Sequence, residues 1–332
     1  MVSKSNGAPR HPLVGPGSLP VVRVGEIPAE DQGQRWLVEQ LWGESSVGVI
    51  GGAPKCSKTW LGLDMALSVA TGTACLGKYA VPRSGPVLVY LAEDALPVIR
   101  ERVAGMARHR GLDLAGIEIH VITAPTLRLD RDPHRTRLLE TAKRLRPRLL
   151  LLDPLVRLHG IDENNAGEVA GLLAYFRQLQ RQLDLLVVLV HHTRKNAAGG
   201  AASGQGLRGS SDIHAFGDSN LYLRRGHPLA GRERLVLSNE HRAAPASPPV
   251  YLELVATSAE TAHLEVVAEL NGEKRGALQE QVLGLLTPGA VQTRGKLREA
   301  LSVKNERLGE ALESLEQAGR VRHTAAGWQR ID

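Results

Sequence analysis

The fold of this chain is decided by one stretch, Gly52-Ala53-Pro54-Lys55-Cys56-Ser57-Lys58-Thr59, which matches G-x-x-x-x-G-K-T except for Ser57. It directly follows an apolar run at residues 47–50 and directly precedes a helical pattern at residues 61–69. A loop between a strand and a helix can turn backbone N–H groups towards a phosphate at the helix N-terminus. The stretch therefore predicts a phosphate-binding loop, with an ordinary Gly-Pro turn as the weaker alternative.

Each residue type in the loop has a chemical role in that prediction. Lys58 is placed to reach the β and γ oxygens of a nucleotide, and the Thr59 hydroxyl to bind Mg²⁺. Ser57 lacks the freedom of glycine at positive φ, where another residue costs about 1–2 kcal/mol, so we expect a strained or slightly altered loop. The residues expected to bind the nucleotide are Gly52, Pro54, Lys55, Cys56, Ser57, Lys58, Thr59 and Trp60.

Length and composition indicate a folded protein with two units. The chain has 332 residues, 42% hydrophobic and 23% charged, which suits one core of common size plus a small domain. Aromatic residues make up 3%, so aliphatic side chains must build the core. The net charge of +6 permits contact with nucleic acid but is weak support for it. No apolar run reaches the roughly 18 residues of a membrane span, and the polar, Pro-rich start favours a cytoplasmic location.

The alternation of patterns along the chain predicts an α/β fold. Residues 1–33 are Pro-rich and are expected to form a flexible leader, while apolar residues at helical spacing predict a helix at 36–42. Apolar runs separated by helical patterns indicate a mostly parallel sheet covered on both faces. Shorter strand candidates after Asn220 predict hairpins that extend the sheet. The parallel strands are expected at 47–50, 87–91, 117–121, 149–152 and 185–190, and the later ones at 221–223, 235–237, 251–255 and 263–267.

The polar stretch 271–276 is expected to separate a core domain, 34–270, from a terminal unit, 277–332. In that unit, helical patterns near 278–286, 293–300 and 304–318 precede two strand candidates, an order that predicts a winged helix-turn-helix. The third helix carries two basic and four acidic residues, which disfavours contact with a phosphate backbone. Duplex binding through the other basic residues and contact with protein both remain open. Those basic residues are Arg294, Lys296, Arg298, Arg320, Arg322 and Arg330.

Two further strand ends carry acidic side chains. Glu93 and Asp94 follow the strand at 87–91, where a carboxylate can polarise a water molecule or cap the next helix. Asp94 is the candidate for such a cap. Asp153 ends the run of four leucines at 149–152, the usual arrangement for holding the Mg²⁺ shell. Apolar strands that end in Asp are common, so this position is persuasive only together with the phosphate loop.

Together these elements resemble the RepA-type hexameric helicase ATPases of plasmids and phages, of the AAA_25 group of P-loop ATPases. That branch is similar to the DnaB-type helicases and to RecA, so the resemblance implies a RecA-like core. It covers residues 36–255, about two thirds of the chain. The elements that carry it are the phosphate loop with Trp60, Leu91-Ala92-Glu93-Asp94, Leu152-Asp153-Pro154-Leu155, Val190-His191-His192 and Leu207-Arg208-Gly209-Ser210-Ser211.

The resemblance implies roles for individual residues. Glu93 matches the catalytic base, and His192 matches the sensor of the γ-phosphate, although a His pair at a strand end is more often structural. The small, polar segment between His192 and Arg208 matches a channel loop, with a plain surface loop as the alternative. The residues expected to contact DNA, single-stranded in the case of Arg194 and Lys195, are Arg194, Lys195 and Arg208.

An arginine from the neighbouring subunit completes the site in such enzymes. Arg242 matches that finger, Arg208 is the second choice, and Glu240 departs from the family by replacing a lysine.

The leading hypothesis is an ATP- and Mg²⁺-dependent ATPase that moves or remodels DNA for a mobile element, as a homo-oligomeric ring or filament. The first rival is an ATP-switched DNA-binding adaptor with little translocation, which Ser57 and Glu240 favour. The second rival is a small-molecule kinase, which the channel-type loop and the winged helix disfavour.

Overall fold

The computed structural model describes residues 19, 21–26, 36–192, 211–226, 233–258, 261–267, 271–286, 291–324 and 326–331. The strands are β1 (Trp36–Val38), β2 (Trp42–Gly43), β3 (Val47–Gly52), β4 (Val87–Leu91), β5 (Ile119–Val121), β6 (Leu149–Asp153), β7 (Leu186–His192), β8 (Ser219–Arg225), β9 (Arg234–His241), β10 (Val250–Ser258), β11 (Thr261–Val267), β12 (Val291–Gln292), β13 (Val321–Thr324) and β14 (Gly327–Arg330). The helices are α1 (Lys58–Thr71), α2 (Leu96–His109), α3 (Asp132–Leu145), α4 (Ala166–Leu183), α5 (Ser211–Phe216), α6 (Asn271–Leu285), α7 (Arg294–Leu301) and α8 (Asn305–Gln317).

A large sheet dominates the described part of the chain, with the strand order β11-β10-β9-β8-β3-β7-β6-β4-β5. Neighbours from β8 to β5 are parallel, whereas β9, β10 and β11 are added antiparallel. The strand that follows β3 in the chain, β4, lies three places away from it, because β7 and β6 are inserted between them. The ends of β3, β4, β6 and β7 therefore meet at one edge of the sheet.

Both faces of the sheet are covered, as continuous apolar strands require. Successive residues of β6 enter opposite cores: Leu149 and Leu151 pack in one cluster, Leu150 and Leu152 in the other. The first cluster includes the buried sides of α1 and α2, and the second those of α3 and α4. The predicted α/β class with a mostly parallel sheet and late hairpins is confirmed.

The helix predicted at 36–42 is wrong, because these residues form β1 and β2. Trp36 pairs with Gly43 and Val38 with Trp42 in an antiparallel ribbon, and Gln40 turns the chain at φ 60°. Leu37, Val38, Leu41 and Trp42 are all buried. Their four-residue spacing comes from two short strands on either side of a turn and not from one face of a helix.

The last described part of the chain, from residue 271, has its own apolar core. The strands β12, β14 and β13 form a small antiparallel sheet, and the buried residues come from α6, α7, α8 and β13. Helix α6 begins at Asn271, so the polar stretch predicted as a separator is the first part of this helix. The proposed boundary at 277 would cut α6 in two. The strand β12 was missed, because two residues give no detectable period.

None of the helices among the described residues is long and apolar enough to span a membrane.

Candidate active site

A cleft of about 300 Å³ lies at the edge of the sheet where β3, β4, β6 and β7 end. Parallel strands point their carboxyl ends the same way, so polar residues at those ends come together although they are distant in sequence. The structure brings most of the predicted nucleotide-binding and catalytic side chains into this cleft. Its walls include Lys55, Lys58, Thr59, Glu93, Asp153 and His192.

The loop between β3 and α1 adopts two left-handed backbone conformations. Lys55 and Ser57 both have φ 60°, and Ser57 precedes the first residue of α1 without a side-chain cap. Ser57 thus occupies the glycine conformation predicted from the sequence, at the cost expected for a residue with a Cβ. Gly52 is required for another reason: a Cβ there would lie 2.5 Å from the Leu223 carbonyl oxygen and 2.7 Å from the Cys56 Sγ. Pro54 is exposed on the same loop.

Lys58 is buried and reaches back across the loop. Its Nζ donates to the carbonyl oxygens of Gly52 at 3.0 Å and Ala53 at 2.8 Å, and lies 3.2 Å from Nδ1 of His192. Burial lowers the pKa of Lys58, while Cys56 and the carboxylate of Asp153 act in the opposite direction. These contacts hold the ammonium group inside the loop and place it beside His192.

The Thr59 hydroxyl donates a hydrogen bond of 2.6 Å to Oδ2 of Asp153. This bond joins the start of α1 to the end of β6, across 94 residues of sequence. Burial raises the pKa of Asp153 to about 6, in spite of the Thr59 bond and the charge of Lys58, which lower it. A hydroxyl and a carboxylate oxygen are ligands that suit Mg²⁺, so the pair fits the ion that the phosphate loop implies.

The carboxylate of Glu93 lies at the mouth of the cleft. Its Oε1 accepts a hydrogen bond of 3.0 Å from Nε of Arg157, which follows β6 on a short 3-10 turn. About half of each side chain is exposed, 51% for Glu93 and 62% for Arg157. The carboxylate is therefore oriented but still reachable by water.

The capping role predicted for Asp94 is wrong. The residue before α2 is Ala95, which makes no side-chain cap, and Oδ2 of Asp94 accepts instead from Nη1 of Arg102 at 2.7 Å. Arg102 lies on the second turn of α2, and its guanidinium reaches back past the start of the helix to Asp94. Its carbon Cζ lies 5.2 Å from the centre of the Trp60 ring.

Two arginines near the cleft, Arg102 and Arg157, were missed by the sequence reasoning. Arg157 is four residues beyond Asp153, and Arg102 is eight beyond Asp94. A basic residue shortly after an acidic strand end was a usable signal in both cases. Only the packing of the flanking turn or helix decides whether such a residue points into the cleft.

Arg242 lies at the opposite edge of the sheet from the phosphate loop. It follows His241, which pairs with Ser219, and Ser219 lies beside Gly48 at the start of β3. Its Nη2 donates to the carbonyl oxygen of Ala215 at 2.6 Å, and its Nε lies 4.0 Å from Oδ1 of Asp218. The side chain remains exposed.

Glu240, the departure from the lysine, has a partner within its own chain. Its Oε2 lies 3.7 Å from Nε2 of His214, whose Nδ1 lies 2.7 Å from the Tyr222 hydroxyl. The DNA-contact candidates Arg194, Lys195 and Arg208 lie outside the described residues.

The match to a protein family agrees with this site. Residues 15–198 match the AAA_25 family, described as an AAA domain, and this stretch contains the phosphate loop, Glu93, Asp153 and His192. The chain is also similar to the crystal structure of the RadB recombinase, with 18% sequence identity and a TM-score of 0.49. The superposition covers 68% of this chain and 92% of the RadB chain. With a family match over more than half of its length and the loop in place, the chain belongs to the AAA domain family of P-loop ATPases.

Proposed function

We propose that this protein hydrolyses ATP with Mg²⁺, acts on DNA, and works as a homo-oligomer. The observation that carries the first part is the 2.6 Å bond between Thr59 and Asp153 beside the buried Lys58. A phosphate-loop hydroxyl, a strand-end carboxylate and a lysine are the groups that nucleotide hydrolysis requires in one place. Mg²⁺ would be held by the hydroxyl and the carboxylate, and would neutralise charge on the phosphates.

Glu93 is proposed as the base that orients and deprotonates the attacking water. It is an exposed carboxylate at the cleft mouth, and it accepts a hydrogen bond of 3.0 Å from Arg157. A base needs access to water and a defined orientation, and the geometry at β4 provides both. His192, next to the Lys58 ammonium, is proposed as the sensor of the γ-phosphate.

Arg242 is proposed to act on the nucleotide of a neighbouring subunit. The register of β9 against β8, and of β8 against β3, separates Arg242 from its own phosphate loop by the length of β3. A guanidinium at that edge cannot reach the nucleotide site of its own subunit. It would contact the nucleotide of a second subunit whose cleft faces this edge. The contact with Ala215 and the nearby Asp218 carboxylate would hold the arginine ready for such a neighbour.

The DNA part of the proposal rests on the RepA-type pattern and on the segment 193–210 with Arg194, Lys195 and Arg208. We further propose that residues 271–331 form a winged helix. Its element order, α6-β12-α7-α8-β13-β14, supports this assignment, and contact with duplex would come from the basic residues of α7 and the two last strands.

A second candidate is an ATP-switched DNA-binding adaptor that hydrolyses slowly. Glu240 favours this candidate, because its carboxylate lies two residues before Arg242 in the sequence. Its Oε2 lies 3.7 Å from Nε2 of His214. A negative charge near the finger would weaken stabilisation of the charge that develops on the γ-phosphate.

One set of assays separates these candidates. ATP hydrolysis and strand displacement would be measured with and without single-stranded DNA, with Lys58→Ala as the inactive control. Hydrolysis that DNA stimulates, together with displacement, supports the motor. DNA binding that depends on ATP, without displacement, supports the adaptor. Transfer of phosphate to a small acceptor, with no response to DNA, would contradict both.

A further inference from the structure

The phosphate loop contains two residues in a backbone conformation that glycine adopts more readily. Lys55 and Ser57 both have φ 60°, and each of them carries a side chain. Residues with a Cβ rarely adopt this conformation in an isolated chain, so contacts from outside the loop are needed to stabilise it. The end of β8 supplies two such contacts.

The last residues of β8 lie directly behind the loop. Nη2 of Arg225 donates to the carbonyl oxygen of Lys55 at 3.2 Å, and Sγ of Cys56 donates to the carbonyl oxygen of Leu223 at 3.6 Å. Burial raises the pKa of the Cys56 thiol, which keeps the thiol protonated as a donor. The loop is therefore attached to β8 by two consecutive residues.

The contact with Arg225 sets the direction of one backbone N–H group. The peptide unit between Lys55 and Cys56 is trans and planar, so its C=O and N–H groups point in opposite directions. Its C=O is turned towards Arg225, which is not among the described residues that line the cleft, whereas Lys55 and Cys56 do line it. The N–H of Cys56 consequently points to the cleft side of the loop, where successive N–H groups form a concave site for an anion.

We propose that Arg225 is a positioning residue for the phosphate loop, which it braces from behind by holding the Lys55 carbonyl group. This inference rests on the proposed ATPase function and adds a residue on which phosphate binding depends. In this role Arg225 contacts no part of the nucleotide. It offsets the missing glycine at Ser57, because it stabilises a loop conformation that serine adopts less readily than glycine.

Exposure limits the size of the effect. The side chain of Arg225 is 51% exposed, and its Nε lies 3.3 Å from Oε1 of Glu233, which is also exposed. A single hydrogen bond of this kind changes a conformational equilibrium by about 2- to 10-fold. The apparent affinity of a ligand falls with the fraction of molecules that have the binding conformation. Loss of the brace should therefore weaken phosphate binding by about the same factor.

The test is a double-mutant cycle between Arg225 and Ser57 in the full chain. Dissociation constants for ATP and inorganic tripolyphosphate would be measured by calorimetry with Mg²⁺, and kcat and KM by phosphate release. The variants are Arg225→Ala, Ser57→Gly and the two combined, and Arg225→Lys keeps a donor and a partner for Glu233. Arg224→Ala is the matched control, since Arg224 is the exposed neighbour on the same strand. The melting temperature of each variant reports on folding.

We expect Arg225→Ala to weaken ATP and tripolyphosphate equally, by about 2- to 10-fold, with a similar rise in KM and an unchanged kcat. Arg225→Lys should lose less, and Arg224→Ala should match the wild type. When Ser57→Gly is present, the loss caused by Arg225→Ala should be smaller, because glycine adopts φ 60° without support.

Three results would overturn this role. Wild-type affinity and KM in folded Arg225→Ala would show that the loop does not need the contact. An equal loss with and without Ser57→Gly would make Arg225 a direct phosphate ligand. A fall in kcat at unchanged KM would place Arg225 in the hydrolysis step. If the wild type bound neither ligand, the ATPase function itself would fail, which is distinct from all three results.

Discussion

Glu93 and Arg157 are in contact, but we expect their substitution to change ATP turnover by very different amounts. Glu93→Gln keeps the shape of the side chain and removes the proposed base, so turnover should fall about 10²- to 10⁴-fold while ATP still binds. Arg157→Ala removes the 3.0 Å contact to the carboxylate and leaves the base in place.

The expected size of the Arg157 effect follows from exposure. Both side chains are more than half exposed, 62% for Arg157 and 51% for Glu93, and such ion pairs contribute about 0–1 kcal/mol. This energy corresponds to at most about a fivefold change in the population of the oriented carboxylate. Turnover of Arg157→Ala should therefore stay within about fivefold of the wild type, in either direction.

The assay is steady-state phosphate release at saturating Mg²⁺ and ATP, with ATP affinity measured separately by titration. Glu101→Gln is the matched control, because Glu101 is an exposed carboxylate on the adjacent helix α2. Turnover of Glu93→Gln within a few fold of the wild type would refute the assignment of the base. A loss in Arg157→Ala as large as in Glu93→Gln would show that the arginine contacts the reacting phosphate, against the reasoning from exposure.

The remaining predictions concern binding, folding and assembly. Lys58→Ala should abolish detectable ATP binding in a titration, because its buried Nζ is placed to reach the β and γ oxygens; affinity like that of the wild type would remove the phosphate-loop assignment. A chain that ends at Val267, where β11 ends, should bind ATP as a soluble protein, since residues 278–321 have a core of their own; insolubility would contradict the division into two units. Ser57→Gly should raise the free energy of unfolding in urea by up to about 1 kcal/mol, because relief at φ 60° exceeds the added freedom of the unfolded chain, and a loss of stability would count against strain. Arg242→Ala subunits mixed with Lys58→Ala subunits should regain hydrolysis if the site is shared. If mixing succeeds only with Arg208→Ala in place of Arg242→Ala, the finger was misassigned.

Local sequence patterns predicted the structure correctly where a short segment by itself determines its own conformation. Residues 52–59 specify their own turn, since the backbone that binds phosphate is set by residues adjacent in sequence. The leucines before Asp153 identify a buried strand, because continuous apolar residues exclude an exposed one. Failures occurred where one spacing fits two structures. The apolar residues at 36–42 fit a helix and a hairpin equally, and the turn at Gln40 decided in favour of the hairpin.

The contacts between side chains of the site required the tertiary structure. Nothing in the sequence around Glu93 tells that its carboxylate accepts a hydrogen bond from Arg157, because the two residues are 64 positions apart. The packing of the sheet settles the larger question: Thr59 bonds to Asp153 across it, and the register of β9 on β8 and of β8 on β3 places Arg242 at the far edge. By itself, then, the sequence determined the phosphate loop, the class of fold and the acids at the strand ends, which depend on neighbouring residues and on burial. The tertiary structure decided which charged groups meet, because those distances depend on how strands and helices pack across long separations in the chain.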